Sequence, residues 1–324
     1  MTALQSWTAD QQVALLFVIL FGCLLLASAA AALLVFRDSS AVQAQRLQRS
    51  QRELRALWVA AAVFWAAWIA GPAGATTLFG LLSFLALREY ITLLKTRRSD
   101  HRSLLLAFFI VLPIQYLLLG SRSFDLFSVF IPVYMFLALP VVSALAGDPE
   151  RFLERNAKIQ WGIMVCVYGL SHAPALLLLQ LPGVQGRGAF LLLFLVLVVA
   201  TGQLAQEAAS RRLRRRPVAR QIDRNFSWRA WGLGTAGAAA IGALLFWTTP
   251  FRIEQALIIA AIASASGTLG AFVMHALKRD AGVHHWGNAP SVTGAVGLLD
   301  RVAPLCFAAP VFFHSVRWYF RLKA

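Results

Sequence analysis

The chain has 324 residues, 59% hydrophobic and 14% charged, with a mean hydropathy of +0.67. Soluble domains carry roughly 25% charged residues, so this composition excludes a soluble enzyme and indicates a polytopic, all-α bundle of about 8–10 transmembrane segments. Thirty Lys and Arg against 14 Asp and Glu give a formal charge of +16. The excess sits between apolar runs, without aromatic interleaving or a binding module. It therefore marks topology and attraction to an anionic membrane surface, and not nucleic acid. Cys23, Cys166 and Cys306 lie inside apolar runs with no paired spacing and read as small buried hydrophobes.

The apolar run 13–36 is too long for a signal-peptide core, and residues 1–12 carry no basic side chain, so a retained first transmembrane helix is expected. Arg37, Arg46, Arg49, Arg52 and Arg55 follow it. Such a loop belongs on the cytoplasmic side, which places the N-terminus outside. Its three-residue arginine spacing fits either a short interfacial helix or a solvated basic face. Residues 1–56 form an N-terminal unit in this reading, and 57–324 form the main membrane domain.

In the main domain, runs 57–70 and 76–87 flank Gly71-Pro72 and predict two short helices joined by a tight turn. The second ends at Arg88-Glu89. A carboxylate there is costly in lipid, about 2.5–3.5 kcal/mol at the bilayer centre, so Glu89 is expected to face the bundle or interface, paired with an arginine. Lys95, Arg97, Arg98 and Arg102 mark a second cytoplasmic loop. Helices are predicted over 103–119 and 124–146, the latter kinked at Pro132 and Pro140. A surface helix capped near Asp148-Pro149 is predicted to precede a span over 159–180, followed by another at 188–205. The segment 207–229 holds eight arginines against Glu207 and Asp223, a net of +6, and needs no role beyond orientation and lipid attraction. Spans at 230–247, 256–277 and 302–316 complete the series. With the N-terminus outside, the tail bearing Arg317, Arg321 and Lys323 also falls outside, against the positive-inside tendency.

The stretch 264–304 concentrates the chemistry. An apolar span ends at Leu277 and is followed by Lys278-Arg279-Asp280. A Gly-rich loop then leads to Asp300-Arg301, where a hydrophobic run resumes. The pattern resembles the C-terminal signature of the phosphatidate cytidylyltransferases (CDP-diacylglycerol synthases): S-x-x-K-R, four residues, K-D, a Gly/His-rich turn and D-R-x-D. FGLLSFLALREY at 79–90, Gly147-Asp148-Pro149, the LLLFLVL run and CFAAPVFF at 306–313 extend the likeness over most of the chain.

The resemblance implies a reaction in which a phosphatidate phosphate oxygen attacks the α-phosphorus of CTP, forming CDP-diacylglycerol and expelling diphosphate. It also implies Mg²⁺ as cofactor where the site is active, since such chemistry depends on divalent cations held by oxygen ligands. Residue by residue, Lys278, Arg279 and Arg301 match the cationic half and imply phosphate binding. Asp280 and Asp300 are the carboxylates left for a catalytic role. His284-His285 stand where the signature has K-D, Ala303 replaces its last Asp, Ala271 follows Gly270 where an aspartate is expected, and His275 replaces the opening Ser. The S-P-x-K-T-x-E-G loop of the family falls near 223–230, with Phe226 and Arg229 replacing its lysine and glutamate. His275, His284 and His285 suit a transition metal better than magnesium and show no third ligand by spacing, so no metal site is assigned. His172 and His314 read as core histidines with backbone partners.

Three readings follow. In the first, the chain is a catalytically degraded member that binds an anionic phospholipid such as phosphatidate, or a partner, as a subunit of phospholipid metabolism in the inner (cytoplasmic) membrane. A homodimer and a lipid-enzyme complex are both compatible with it. The second is an active cytidylyltransferase with a rearranged site or altered substrate. The third is a transporter or flippase, for which no inverted repeat speaks.

Overall fold

The computed structural model describes residues 69–94, 96–181, 188–213, 216–282 and 297–320, with scattered positions between 15 and 58. Among these residues the secondary structure is helical throughout, with no strand. The chain divides into two compact units, Met1–Ala75 and Thr76–Ala324.

In the first unit, helical positions occur from Leu15 to Leu33 and at Trp58. The Trp58 indole N–H donates to Ser28 Oγ at 3.1 Å, and its ring meets Phe21 edge-on at 5.5 Å. An indole N–H in an apolar setting needs such an acceptor. The basic stretch 37–55, and most of the run 57–70, lie outside the described residues.

The second unit is a helical bundle. Helix α1 (Gly71–Ile91) begins in the first unit; Gly71 at φ +70 and Pro72 supply a turn and a compatible start. It is one 21-residue helix where the sequence pattern predicts a shorter run from 76 to 87. Then come α2 (Arg98–Gly120), α3 (Phe124–Ala144), α4 (Phe152–Leu178), α5 (Gly188–Leu213), α6 (Trp228–Leu244), α7 (Ile253–Asp280) and α8 (Leu298–Tyr319). Five of them (α2, α3, α4, α5 and α7) are long and apolar enough to cross a membrane. The protein is an all-α, multi-pass membrane protein.

Several boundaries differ from the predicted ones for a common reason: helices continue through polar residues wherever packing or an interface supports them. The surface helix expected before residue 159 is fused with the following span in α4. That helix starts at Phe152 after Arg151 in the left-handed region (φ 49), not at Asp148-Pro149. Lys278, Arg279 and Asp280 form the last turn of α7, and Asp300 lies in the first turn of α8. Wide π-turns interrupt α2 at Ala107–Val111, α3 at Phe130–Met135 and α4 at Met164–Gly169. The second contains Pro132, whose missing N–H a widened turn accommodates; Pro140 sits in the ordinary α-helical stretch Phe136–Ala144.

Helix α4 is central, with 78% of its apolar window buried, whereas α2 and α3 bury only about a third of theirs and turn most of their surface to lipid. Close approach depends on small residues. A Cβ on Gly169 of α4 would lie 2.3 Å from the Cys306 carbonyl oxygen of α8, and one on Gly242 of α6 would lie 2.3 Å from Ala260 Cβ of α7. Fully buried Phe127, Phe194, Phe312 and Phe313 fill the interior. His172 is a core histidine, its Nδ1 2.7 Å from the Tyr168 carbonyl oxygen, as expected. His314 is instead exposed.

Candidate phosphate site

Two charge clusters occupy the end of the bundle where α1, α5 and α7 finish and α4 and α8 begin. The first is centred on Arg155, near the start of α4. Its Nη1 donates to Asp148 Oδ2 at 2.6 Å, its Nη2 to the Asp148 carbonyl at 2.9 Å, and its Nε lies 3.0 Å from Asp100 Oδ1. Arg155 and Asp100 are nearly inaccessible. Asp148 also accepts from Ser99 Oγ at 2.8 Å and from the Glu150 N–H at 3.1 Å; these two bonds first, against the opposing effect of burial and with a lesser contribution from Arg155, hold its carboxyl down at about 2. Arg97 adds a bond to Glu150 at 2.6 Å. The connections before α2 and before α4 are thereby clamped together. A cavity of about 250 Å³ lies over this clamp, lined by Arg97, Asp100, Glu150, Arg155 and Lys158 among others. Nearly every charge lining it already has an opposite charge as partner.

The second cluster contains the residues singled out in the sequence. Lys278 is buried and donates to Asp300 Oδ1, joining the end of α7 to the start of α8. Glu89, at the end of α1, is also buried and accepts the N–H of Leu298 at 3.0 Å; the N–H groups of Gly297 and Leu299 and the charge of Asp300 also act on it. The arginine expected beside Glu89 is thus replaced by a helix N-terminus, whose unsatisfied N–H groups and dipole favour a carboxylate equally well. Tyr90, the next residue, donates to the Lys158 carbonyl oxygen at 3.1 Å and links the two clusters.

Asp223 and His275 complete the second cluster. Asp223 lies in the connection between α5 and α6, where its Oδ1 accepts the Asn225 N–H at 2.8 Å. Its Oδ2 lies 3.1 Å from His275 Nδ1. Burial pushes the Asp223 carboxyl up, but the His275 and Asn225 hydrogen bonds and the nearby charge of Lys278 bring it below the ordinary value. Arg279 is exposed, with its Nε 3.5 Å from the Ile222 carbonyl oxygen. Helical spacing explains the grouping: residues 275, 278 and 279 share one face of α7.

The same spacing separates two residues that are adjacent in the sequence. Asp280 is two residues beyond Lys278, turned about 200° around the helix. It is exposed, its charge reaches Tyr90, and it shares no hydrogen bond or ion pair with Asp300 among the described residues. Arg301 is exposed in the first turn of α8. The structure therefore joins Lys278 to Asp300, brings Glu89 beside Asp300, and leaves Arg279, Asp280 and Arg301 open to solvent. His284 and His285 lie outside the described residues.

The arrangement can be tested for magnesium. Mg²⁺ bound with substrate phosphates takes one or two carboxylates that are free to bind it. Here Asp300 holds the Lys278 ammonium and Asp223 holds His275, while Glu89 gives Oε2 to the Leu298 N–H and keeps a buried Oε1 without a hydrogen-bond partner among the described residues. The Lys278 ammonium would compete with a divalent cation for Asp300, and no preformed three-ligand metal site occurs among the described residues.

Comparison with known proteins agrees with the likeness noted in the sequence. A family model described as the cytidylyltransferase family matches residues 50–319, which takes in every element from α1 to α8. The chain belongs to that family. It is also 40% identical over 255 residues to the uncharacterized protein YnbB of Escherichia coli K12, covering 77% of this chain and 82% of that protein.

Two participants were not legible as a pair in the sequence. Asp223 appears there within an arginine-rich connection and at the start of the family's loop near 223–230, and His275 as a replaced serine and a candidate transition-metal ligand. Their 52-residue separation carries no local signal. The register that puts His275 one turn before Lys278 was present, but nothing marked its partner.

Proposed function

We propose that this protein binds the phosphate of phosphatidate or a closely related anionic phospholipid at the cytoplasmic face of the inner membrane. Lys278, Arg279 and Arg301 supply the positive charge. In this reading it serves phospholipid metabolism as a lipid-headgroup-binding subunit and does not perform metal-dependent cytidylyl transfer. The observation that carries the reading is the Lys278–Asp300 pair: the carboxylate best placed to hold a divalent cation is already held by a cation of the protein. The guanidinium groups of Arg279 and Arg301 are exposed at this end, where they can meet a phosphate from the headgroup layer. The cytoplasmic assignment rests on the basic side chains gathered at this end, including Arg211, Arg212, Arg220, Arg224 and Arg229.

A second reading is an active cytidylyltransferase with a rearranged site and CTP as co-substrate. It is favoured by the convergence of Glu89, Asp223 and Asp300 about Lys278, which recruits one carboxylate that the signature comparison does not supply. The deciding experiment incubates the purified protein with CTP and phosphatidate across divalent metals, alongside phosphatidate binding in nanodiscs. Binding that weakens at least tenfold in the Arg279→Ala/Arg301→Ala variant, without CDP-diacylglycerol formation, supports headgroup binding. Magnesium-dependent CDP-diacylglycerol formation that Asp300→Ala abolishes would establish the second reading and overturn the first.

A further inference from the structure

His275 and Asp223 form a dyad that the cationic signature residues do not explain. A carboxylate is an acceptor only, so the 3.1 Å contact fixes the imidazole proton on Nδ1 and leaves the lone pair on Nε2. Asp223 is itself held in place by the Asn225 N–H, which restrains the ring through a second layer of bonds. The His275 side chain is 40% exposed, against 16% for Asp223 and 8% for Lys278, so the imidazole is the accessible member of the dyad. Nε2 has no hydrogen-bond partner among the described residues. The other charged groups facing this region are Lys278 and Arg279 on the same helix face and Asp300 from α8, with Asp223 the contribution of the connecting loop.

We infer that His275, oriented by Asp223, is the proton-accepting contact of the headgroup site and makes that site selective for a phosphomonoester over a phosphodiester. This rests on the phosphate-binding reading above and adds to it a selectivity that Lys and Arg cannot provide. A guanidinium or ammonium attracts any phosphate. An imidazole whose Nδ1 proton is fixed by a carboxylate does more, because its other nitrogen can either accept a proton or, once protonated, donate it. Facing a dianion, Nε2 takes up a proton and becomes a charge-assisted donor to a phosphate oxygen, and Asp223 stabilises the resulting imidazolium. Facing a phosphomonoester that still carries its proton, Nε2 accepts that O–H. A phosphodiester has no ionisable hydrogen to give Nε2, and its single charge draws a proton to the imidazole less strongly than a dianion does.

The test uses the full chain in phosphatidylcholine nanodiscs, titrated calorimetrically with short-chain phosphatidate or, as the diester control, short-chain phosphatidylglycerol. At pH 8 phosphatidate enters chiefly as the dianion. Repeating the titration in buffers of different ionisation enthalpy measures proton exchange directly. The expected result is net proton uptake of up to one per phosphatidate bound and clearly less with phosphatidylglycerol. His275→Gln, which keeps a donor but cannot titrate, should lose the uptake and narrow the preference for phosphatidate about tenfold. Asp223→Asn should weaken both effects. Because uptake is read on the unmodified protein, the test holds even where a variant fails to fold. Phosphatidate binding without proton uptake, or with a preference unchanged by His275→Gln, overturns the inference and leaves headgroup binding standing. If phosphatidate does not bind above the diester and the zwitterionic background, the phosphate-binding reading itself fails.

Discussion

Around Arg155, one buried guanidinium meets two carboxylates and a carbonyl oxygen, and the neighbouring Arg97 and Lys158 are neutralised by Glu150 and Glu154. Around Lys278, the buried cation also has its carboxylate, but the charges beyond it are progressively more accessible: Asp300, then His275, then the exposed Arg279 and Arg301. The two clusters share one end of the bundle and are joined through Tyr90 and Lys158. Their difference lies in how far their charges are exposed. A buried network of paired charges clamps backbone segments together and presents little charge to a ligand. A network with open outer donors can receive an anion because its inner members are fixed.

Substitutions should separate these roles. The largest effect is expected for Arg155→Ala, which leaves Asp100 buried without its cation. Breaking such a pair costs about 3–5 kcal/mol, and detergent-solubilised protein should show a clearly lower unfolding temperature while surviving folded protein binds phosphatidate as before. Asp300→Asn comes next. It deprives the buried Lys278 of its counter-charge, costing about 1–3 kcal/mol, and frees an ammonium for phosphate. Tighter phosphatidate binding combined with lower stability would support the distinction; unchanged binding would argue that Lys278 is purely structural. Glu89→Gln should cost less, about 0.3–1 kcal/mol from the start of α8, read as faster hydrogen exchange at residues 298–300.

The smallest effect is one of pH. Because the Asp148 carboxyl is held below its ordinary value in the folded protein, its contribution is present above about pH 4 and is lost as pH falls toward about 2. Proteolysis or hydrogen exchange at residues 147–151 should rise across that window. The region around Arg279 should not follow it if the two clusters are independent.

Much of the second cluster was legible before any coordinates. Lys278, Arg279, Asp300 and Arg301 stand out because charged residues at the edge of an apolar run need a reason. Glu89 was recognisable as a carboxylate that must face the bundle. Its partner was not, because a helix N-terminus 209 residues away presents backbone N–H groups, which have no side-chain signature. Asp280 shows the opposite limit. It looks like part of a charged triplet, but the 100° step of the helix turns it away from Lys278. The Arg155 clamp was missed because Asp100 lies at the start of α2, Asp148 before α4 and Arg155 in the first turn of α4, and each reads as ordinary charge at a helix end.

The sequence alone determined the membrane class, the helical content, the position of most spans and the loss of acidic signature residues, because apolar run length and residue identity are local properties. Only the tertiary structure decided which charges neutralise each other. That depends on where helix ends meet, and it changes the meaning of Lys278, whose ammonium is committed to Asp300. The exposed arginines and the His275–Asp223 dyad around that fixed pair are left to meet a phosphate.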